Sequence, residues 1–237
     1  MSTFSVVATP IGNLEDVTLR ALKVLAEADV ILCEDTRVTS KLLARHNIAR
    51  PLMSYHAHSK LARTEEIIRL LREGKNMALV SDAGTPGISD PGAELVRHVR
   101  LAAEELVQKD EGQIVIEAIP GPSALLAAIS VAGVPCADFT FLGFLPHKKG
   151  RQTLFAEIAA ANRTMIFYES PHRIMKSLES LKMVLSGLPK RVTVCRELTK
   201  VFEETVGGTA DEVKIYFENN PDKVRGEFVV IVSALPK

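Results

Sequence analysis

The chain has 237 residues, 46% of them hydrophobic and 24% charged, an ordinary globular balance that excludes disorder as the main state. Its 29 basic residues match its 29 acidic ones, which excludes a globally basic nucleic-acid coat and leaves only local basic patches. The length fits one large or two small domains.

Residues 4–9 are rich in β-formers and stop at Pro10-Ile11-Gly12-Asn13. A helix is predicted next, capped by Asn13 or Asp16, with Leu19, Leu22 and Leu25 on one face. A strand over 29–34, a short helix over 42–46 and a strand over 52–55 follow. A helix is then predicted from about Ser59, with Leu61, Ile67, Ile68 and Leu71 apolar and Gly74 closing it. The strand at 77–80 runs into the loop 81–92, where Asp90 and Pro91 suit the cap and first position of a helix. That helix carries Leu95, Val96, Val99, Ala102, Ala103 and Leu106, and the long stretch 101–112 before the next strand reads as a surface loop. A buried strand at 114–119 is stopped by Pro120-Gly121-Pro122.

In the second half, strands are predicted at 139–142, 164–168, 191–195, 201–206 and 227–232. Helices fall at 150–161 and 172–185, and Thr209-Ala210-Asp211-Glu212 is a capping box that opens a third. The alternation predicts an α/β protein of two α/β domains: residues 1–119 with a mostly parallel sheet, and residues 120–237 with a mixed one.

Cys33, Cys136 and Cys195 are far apart and lie in or beside apolar runs, so they read as small buried hydrophobes of a reducing compartment. The N-terminus lacks the basic flank of a signal peptide. The weakly polar run 124–134 is too short to span a bilayer. A cytoplasmic protein with no membrane association is expected.

Ligands of parallel α/β sheets bind outside the carboxyl ends of the strands. Three Gly/Pro-rich loops leave such ends, at 9–13, 81–92 and 120–123. There is no P-loop, no dinucleotide fingerprint after the first strand and no nucleophile elbow. No metal is expected, because His56-x-His58 lacks a matching Cys or carboxylate spacing. Ionisable clusters also follow strands: Glu34-Asp35-Thr36-Arg37, Tyr168-Glu169-Ser170-Pro171-His172-Arg173, and Arg196-Glu197-Leu198-Thr199-Lys200. His147-Lys148-Lys149-Gly150-Arg151 is a short basic run.

Several of these blocks carry a family resemblance. Ala8-Thr9-Pro10-Ile11-Gly12-Asn13-Leu14, Glu34-Asp35-Thr36-Arg37, the whole of 81–92, Ile119-Pro120-Gly121-Pro122-Ser123-Ala124, Gly143-Phe144-Leu145-Pro146, Phe167 to Arg173 and Gly226-Glu227-Phe228-Val229 resemble the bacterial 16S rRNA cytidine-2′-O-methyltransferases of the tetrapyrrole-methylase superfamily. The resemblance implies a homodimeric enzyme that binds S-adenosylmethionine in a cleft between its domains and acts on 16S rRNA of the small ribosomal subunit. It implies cofactor contacts at Pro10, Ala83, Gly84, Thr85, Ile88, Ser123 and Ala124, and further ones at Tyr168 or Glu169 and at Leu198.

Methyl transfer to a ribose hydroxyl gains from a base near that hydroxyl. Glu34, Asp35, Glu169 and Glu197 are the candidates, and the sequence does not choose among them. Arg37, Arg173 and Arg196 suit phosphate, with Lys148, Lys149 and Arg151 as outer contacts. Tyr168 or His172 suits stacking on a base. A tetrapyrrole methylase and an inactive RNA-binding assembly factor are the alternative readings.

Overall fold

The first strand, β1 (Ser2–Val7), alternates its side chains between two faces of a sheet. The computed structural model describes residues 1–56 and 61–234. The chain divides into two compact units, Met1–Ser123 and Ala124–Lys237.

In the first unit β1 is joined by β2 (Val30–Cys33), β3 (Leu52–Ser54), β4 (Met77–Leu79) and β5 (Ile114–Ile119) in the order β3-β2-β4-β1-β5. Every pairing is parallel. All five carboxyl ends therefore reach the same edge. The period-2 alternation splits the core in two. Phe4, Leu32 and Leu79 pack with Ile67, Leu71, Leu95 and Val99, which belong to α3 (Leu61–Arg72) and α4 (Gly92–Gln108). Val7, Ile31 and Ala78 pack on the other face with Ala21 and Leu25 of α1 (Leu19–Glu27) and Leu43 of α2 (Thr36–Arg45). Each such fully buried aliphatic or aromatic side chain contributes about 1.5–3 kcal/mol.

Four local expectations change. Asn13 caps a 3₁₀ turn, Leu14–Asp16, and Thr18 caps α1, so Leu19 falls on the outer face, 86% exposed. Asp35 accepts from the Arg37 N–H and starts α2 at Thr36, six residues before the predicted 42. Pro91 occupies the cap of α4, while the Asp90 carboxylate accepts from the N–H groups of Gly87 and Gly92. The α4 helix also continues through Gln108, so most of the expected loop at 101–112 is helical. The predicted helix start at Ser59 lies outside the described residues, as does His58.

The second unit opens with α5 (Ala124–Ala132) and builds the sheet β6-β7-β10-β8-β9 from β6 (Phe139–Phe144), β7 (Thr164–Glu169), β8 (Lys190–Arg196), β9 (Glu204–Gly208) and β10 (Phe228–Ala234). Only β6 and β7 pair in parallel, so the sheet is mixed. Phe167, Val194, Phe228 and Val230 pack under Phe155 of α6 (Arg151–Ala160), Leu178 and Leu181 of α7 (Ile174–Leu185) and Phe217 of α8 (Ala210–Asn219). The predicted capping box is present, with Thr209 and Glu212 bonding reciprocally. The strand expected from 201 begins at Glu204 instead, because residues 197–203 form a separately braced turn.

Cys33 and Cys195 are buried, Cys136 is half-buried, and all three are free thiols. Among the described residues no helix is long and apolar enough to cross a membrane.

Candidate functional site

Because β4, β1 and β5 are neighbours in the sheet, the loops that leave their carboxyl ends are neighbours too. Thr9 and Gly84 join the first pair: each donates its N–H to the other's carbonyl, at 2.9 and 3.0 Å. The Thr9 hydroxyl donates to the Ser81 carbonyl at 3.1 Å, and the Ser81 hydroxyl donates to the Gly84 carbonyl at 3.2 Å. Thr85 joins the second pair, its hydroxyl donating to the Pro122 carbonyl at 3.0 Å. Gly84 sits at φ +81°, and a Cβ there would come 3.2 Å from Ile11 Cγ2. Thr9, Pro10 and Gly84 are buried inside this seam, Thr85, Ser123 and Ala124 are half-buried, and Ala83 and Ile88 face outward. Sequence reasoning singled out the glycines and prolines and passed over Thr9 and Ser81. A short hydroxyl residue directly after an apolar strand is the signal that could have found them, since it can satisfy loop carbonyls locally.

The three loops contain no Lys, Arg or His, and the longest holds Asp82 and Asp90. The side chains of these loops thus supply no cation for a phosphate, and their only charges are the two carboxylates.

Next along the edge, the Asp35 N–H donates to Asp82 Oδ1 at 3.0 Å, tying the end of β2 to the start of the long loop. Asp35 is gripped by Arg37, whose Nε and Nη2 lie 3.0 Å and 2.6 Å from its oxygens. That bond, with the Arg37 N–H, holds the Asp35 carboxyl down at about 2. Glu34 is different. Its carboxyl is pushed above the ordinary glutamate range by burial first, and then by the charges of Asp82 and Asp90, against a smaller opposing pull from the Asp82 N–H and His56.

In the second unit Glu169 ends β7 with a fully buried side chain. Arg173 Nε lies 2.8 Å from Oε1 and Arg151 Nη2 3.0 Å from Oε2, and the Ser177 hydroxyl donates to Oε2 at 2.6 Å. The same two guanidiniums donate onward to the carbonyls of Leu145 and Pro146. Arg151 and Arg173 are thus internal braces, which differs from the phosphate contacts expected of them. Arg196 differs likewise: it is buried, donates to the Phe202 carbonyl at 3.1 Å and faces Glu204 at 3.6 Å.

Glu197 accepts from Lys200 Nζ at 2.9 Å and from the Glu227 N–H at 3.1 Å. Burial pushes its carboxyl up, but these bonds and the charges of Lys200 and Arg196 outweigh it and leave the group below its usual range. Leu198 is buried in the same turn, in which Glu197 and Thr199 take φ +49° and +66°. The Tyr168 hydroxyl accepts from the Leu125 N–H at 3.1 Å, and its ring meets Phe141 and Phe144 edge-on. Burial pushes the phenol pKa above its ordinary value. His172, Lys148 and Lys149 are exposed, as is Arg37 despite its bond to Asp35. Among the described residues no three His, Cys, Asp or Glu side chains gather as for a metal ion.

Residues 3–214 match the model of the tetrapyrrole (corrin/porphyrin) methylases. The ribosomal RNA small subunit methyltransferase I of Xylella fastidiosa is 45% identical over 97% of this chain and 81% of its own length. That of Thermotoga maritima is 43% identical over 98% of this chain and 99% of its own. The chain belongs to the tetrapyrrole methylase family, in its ribosomal RNA small subunit methyltransferase I branch. It is an S-adenosylmethionine-dependent methyltransferase. A uroporphyrin-III C-methyltransferase of Thermus thermophilus, solved in complex with S-adenosyl homocysteine, is 18% identical, superposes with a TM-score of 0.61 and covers 98% of this methyltransferase and 97% of its own chain. That likeness extends the fold to distant members.

Proposed function

We propose that this methyltransferase transfers a methyl group to the 2′-hydroxyl of a cytidine ribose in 16S rRNA of the small ribosomal subunit. The observation that carries the reading is the 43–45% identity to ribosomal RNA small subunit methyltransferase I proteins along nearly the whole chain. A homodimer in the cytoplasm belongs to the same reading.

In this proposal Pro10, Ala83, Gly84, Thr85, Ile88, Ser123 and Ala124 contact S-adenosylmethionine, and Tyr168 and Leu198 supply further contacts. S-adenosylmethionine brings a methyl carbon already activated by a positive sulfur, so no Lewis acid is needed. The enzyme's own work is to hold the ribose oxygen in line and to remove its proton. Lys148, Lys149, Arg37 and His172 are the exposed groups left to meet RNA, the first three on phosphate and the last on a base. Arg151, Arg173 and Glu169 shape the strap that carries Lys148 and Lys149.

The test is transfer of labelled methyl to purified small subunits, followed by mapping of the modified nucleotide. A single 2′-O-methylcytidine is expected. Label on a base carbon or nitrogen, or transfer to a tetrapyrrole in preference to RNA, would overturn the reading.

A further inference from the structure

We infer that Glu34 is the general base of the proposed methyl transfer, the group that takes the proton from the nucleophilic hydroxyl. The inference rests on the function proposed above. It begins with position. Glu34 directly follows β2, at the same sheet edge as the three loops. Its neighbour Asp35 is hydrogen-bonded to Asp82, the residue before Ala83 and Gly84.

The other carboxylates are committed. Asp35 is held in a two-point grip by Arg37, Glu169 by Arg151 and Arg173, and Glu197 by Lys200. A carboxylate neutralised by a guanidinium or ammonium is a poor proton acceptor, because protonation would strand the cation. Asp90 spends its oxygens on the Gly87 and Gly92 N–H groups; Asp82 and Glu34 each accept one backbone N–H, from Asp35 and Asp82 respectively, but Asp82 is exposed whereas Glu34 is half-buried. Glu34 has no Lys or Arg partner among the described residues. Among the described residues, the charged and titratable groups that act most on it are Asp82, Asp90 and His56, two of the three anionic.

The charge balance of the step suits such a group. The ribose O–H bond breaks and its proton passes to the Glu34 carboxylate. The ribose oxygen bonds to the methyl carbon, and the electron pair of the broken carbon–sulfur bond stays on sulfur. A cation and an anion become a neutral thioether and a neutral carboxylic acid. An anion placed beside two other carboxylates favours that neutralisation. Its raised pKa also brings its basicity nearer to neutral pH, where a general base works best.

Glu34→Gln keeps the shape and an acceptor oxygen. It is expected to bind S-adenosylmethionine as the wild type does by calorimetry, to keep KM for small subunits, and to lose kcat by about 10²–10⁴-fold. Glu34→Asp should recover part of that loss. An infrared carboxyl band that titrates above the ordinary glutamate range should be present in the wild type and absent from Glu34→Gln. The rise of wild-type kcat/KM with pH should follow the same titration. A Glu34→Gln enzyme that retains kcat and the wild-type pH profile overturns the assignment. If the wild-type enzyme itself transfers no methyl to small subunits, the rRNA reading fails and the assignment falls with it.

Discussion

Thr9 and Gly84 exchange both of their backbone hydrogen bonds, a two-residue antiparallel bridge between loops that leave two parallel strands. It locks the loop after β4 onto the loop after β1 and leaves Ala83 exposed beside it. Gly84 makes this possible by taking φ +81°, a conformation β-branched residues resist. Gly84→Val is expected to cost about 1–3 kcal/mol of stability through backbone strain. Its side chain would also press on Ile11. S-adenosylmethionine affinity is expected to fall by at least about tenfold, the equivalent of 1.4 kcal/mol. Calorimetry on the folded variant checks this, and wild-type affinity would place the cofactor away from the bridge.

Glu169→Ala should behave as a core mutation. It leaves Arg151 and Arg173, whose side chains are 12% and 15% exposed, without their counter-ion. Breaking a buried pair from one side costs about 3–5 kcal/mol. Glu169→Gln, which keeps an acceptor, should cost less. Denaturant unfolding measures both. A loss under about 1 kcal/mol for Glu169→Ala would show that water reaches the two guanidiniums and that the cluster is not a structural brace.

Lys148 and Arg151 sit three residues apart in one basic run but should part company on mutation. Lys148→Ala with Lys149→Ala is expected to weaken RNA binding and to reduce its salt slope by about 0.7–0.9 per lysine. Stability and S-adenosylmethionine binding should stay unchanged. Arg151→Ala should instead destabilise the fold, because its guanidinium bonds to Glu169, Ser177 and the Pro146 carbonyl. Equal salt slopes for the wild type and the double variant would exclude the two lysines as phosphate contacts.

Glu34 should cost the protein stability at neutral pH. A carboxyl whose pKa is raised by folding favours the folded state fully only below its unfolded pKa, and that contribution is lost as pH rises through the higher folded value. Glu34→Gln removes the charge that burial, Asp82 and Asp90 oppose. Its Tm is therefore expected to exceed that of the wild type at pH 7–8, with the gain shrinking as the pH falls through the carboxylate range. A Tm difference that is constant with pH would contradict the unfavourable setting of Glu34. Higher stability with lower turnover is the exchange expected of a functional residue held in a poor electrostatic environment.

Periodicity and punctuation alone were enough to read the alternating α/β order, the parallel first sheet, the mixed second one and the three loops at one edge. Those features follow from rules that act along the chain: period-2 and period-3.6 burial, and Gly and Pro at strand ends. The roles of the charged residues were not legible in that way. Arg151, Arg173, Arg196, Lys148 and Lys149 all look like phosphate-binding side chains in the sequence, and only folding brings Glu169 between the first two and covers the third. The carboxylates Glu34, Asp35, Glu169 and Glu197 are equally indistinguishable as letters. They separate in the structure, where a cation two to four residues on closes onto Asp35, Glu169 and Glu197, with Arg151 added to Glu169, while Glu34 is left under the charges of Asp82 and Asp90. A carboxylate's basicity is set by the charges and solvent around it; nearby cations such as Arg37, Arg173 and Lys200 could be paired on paper, but the burial of Glu169, the approach of Arg151 and the charges of Asp82 and Asp90 on Glu34 come from distant parts of the chain.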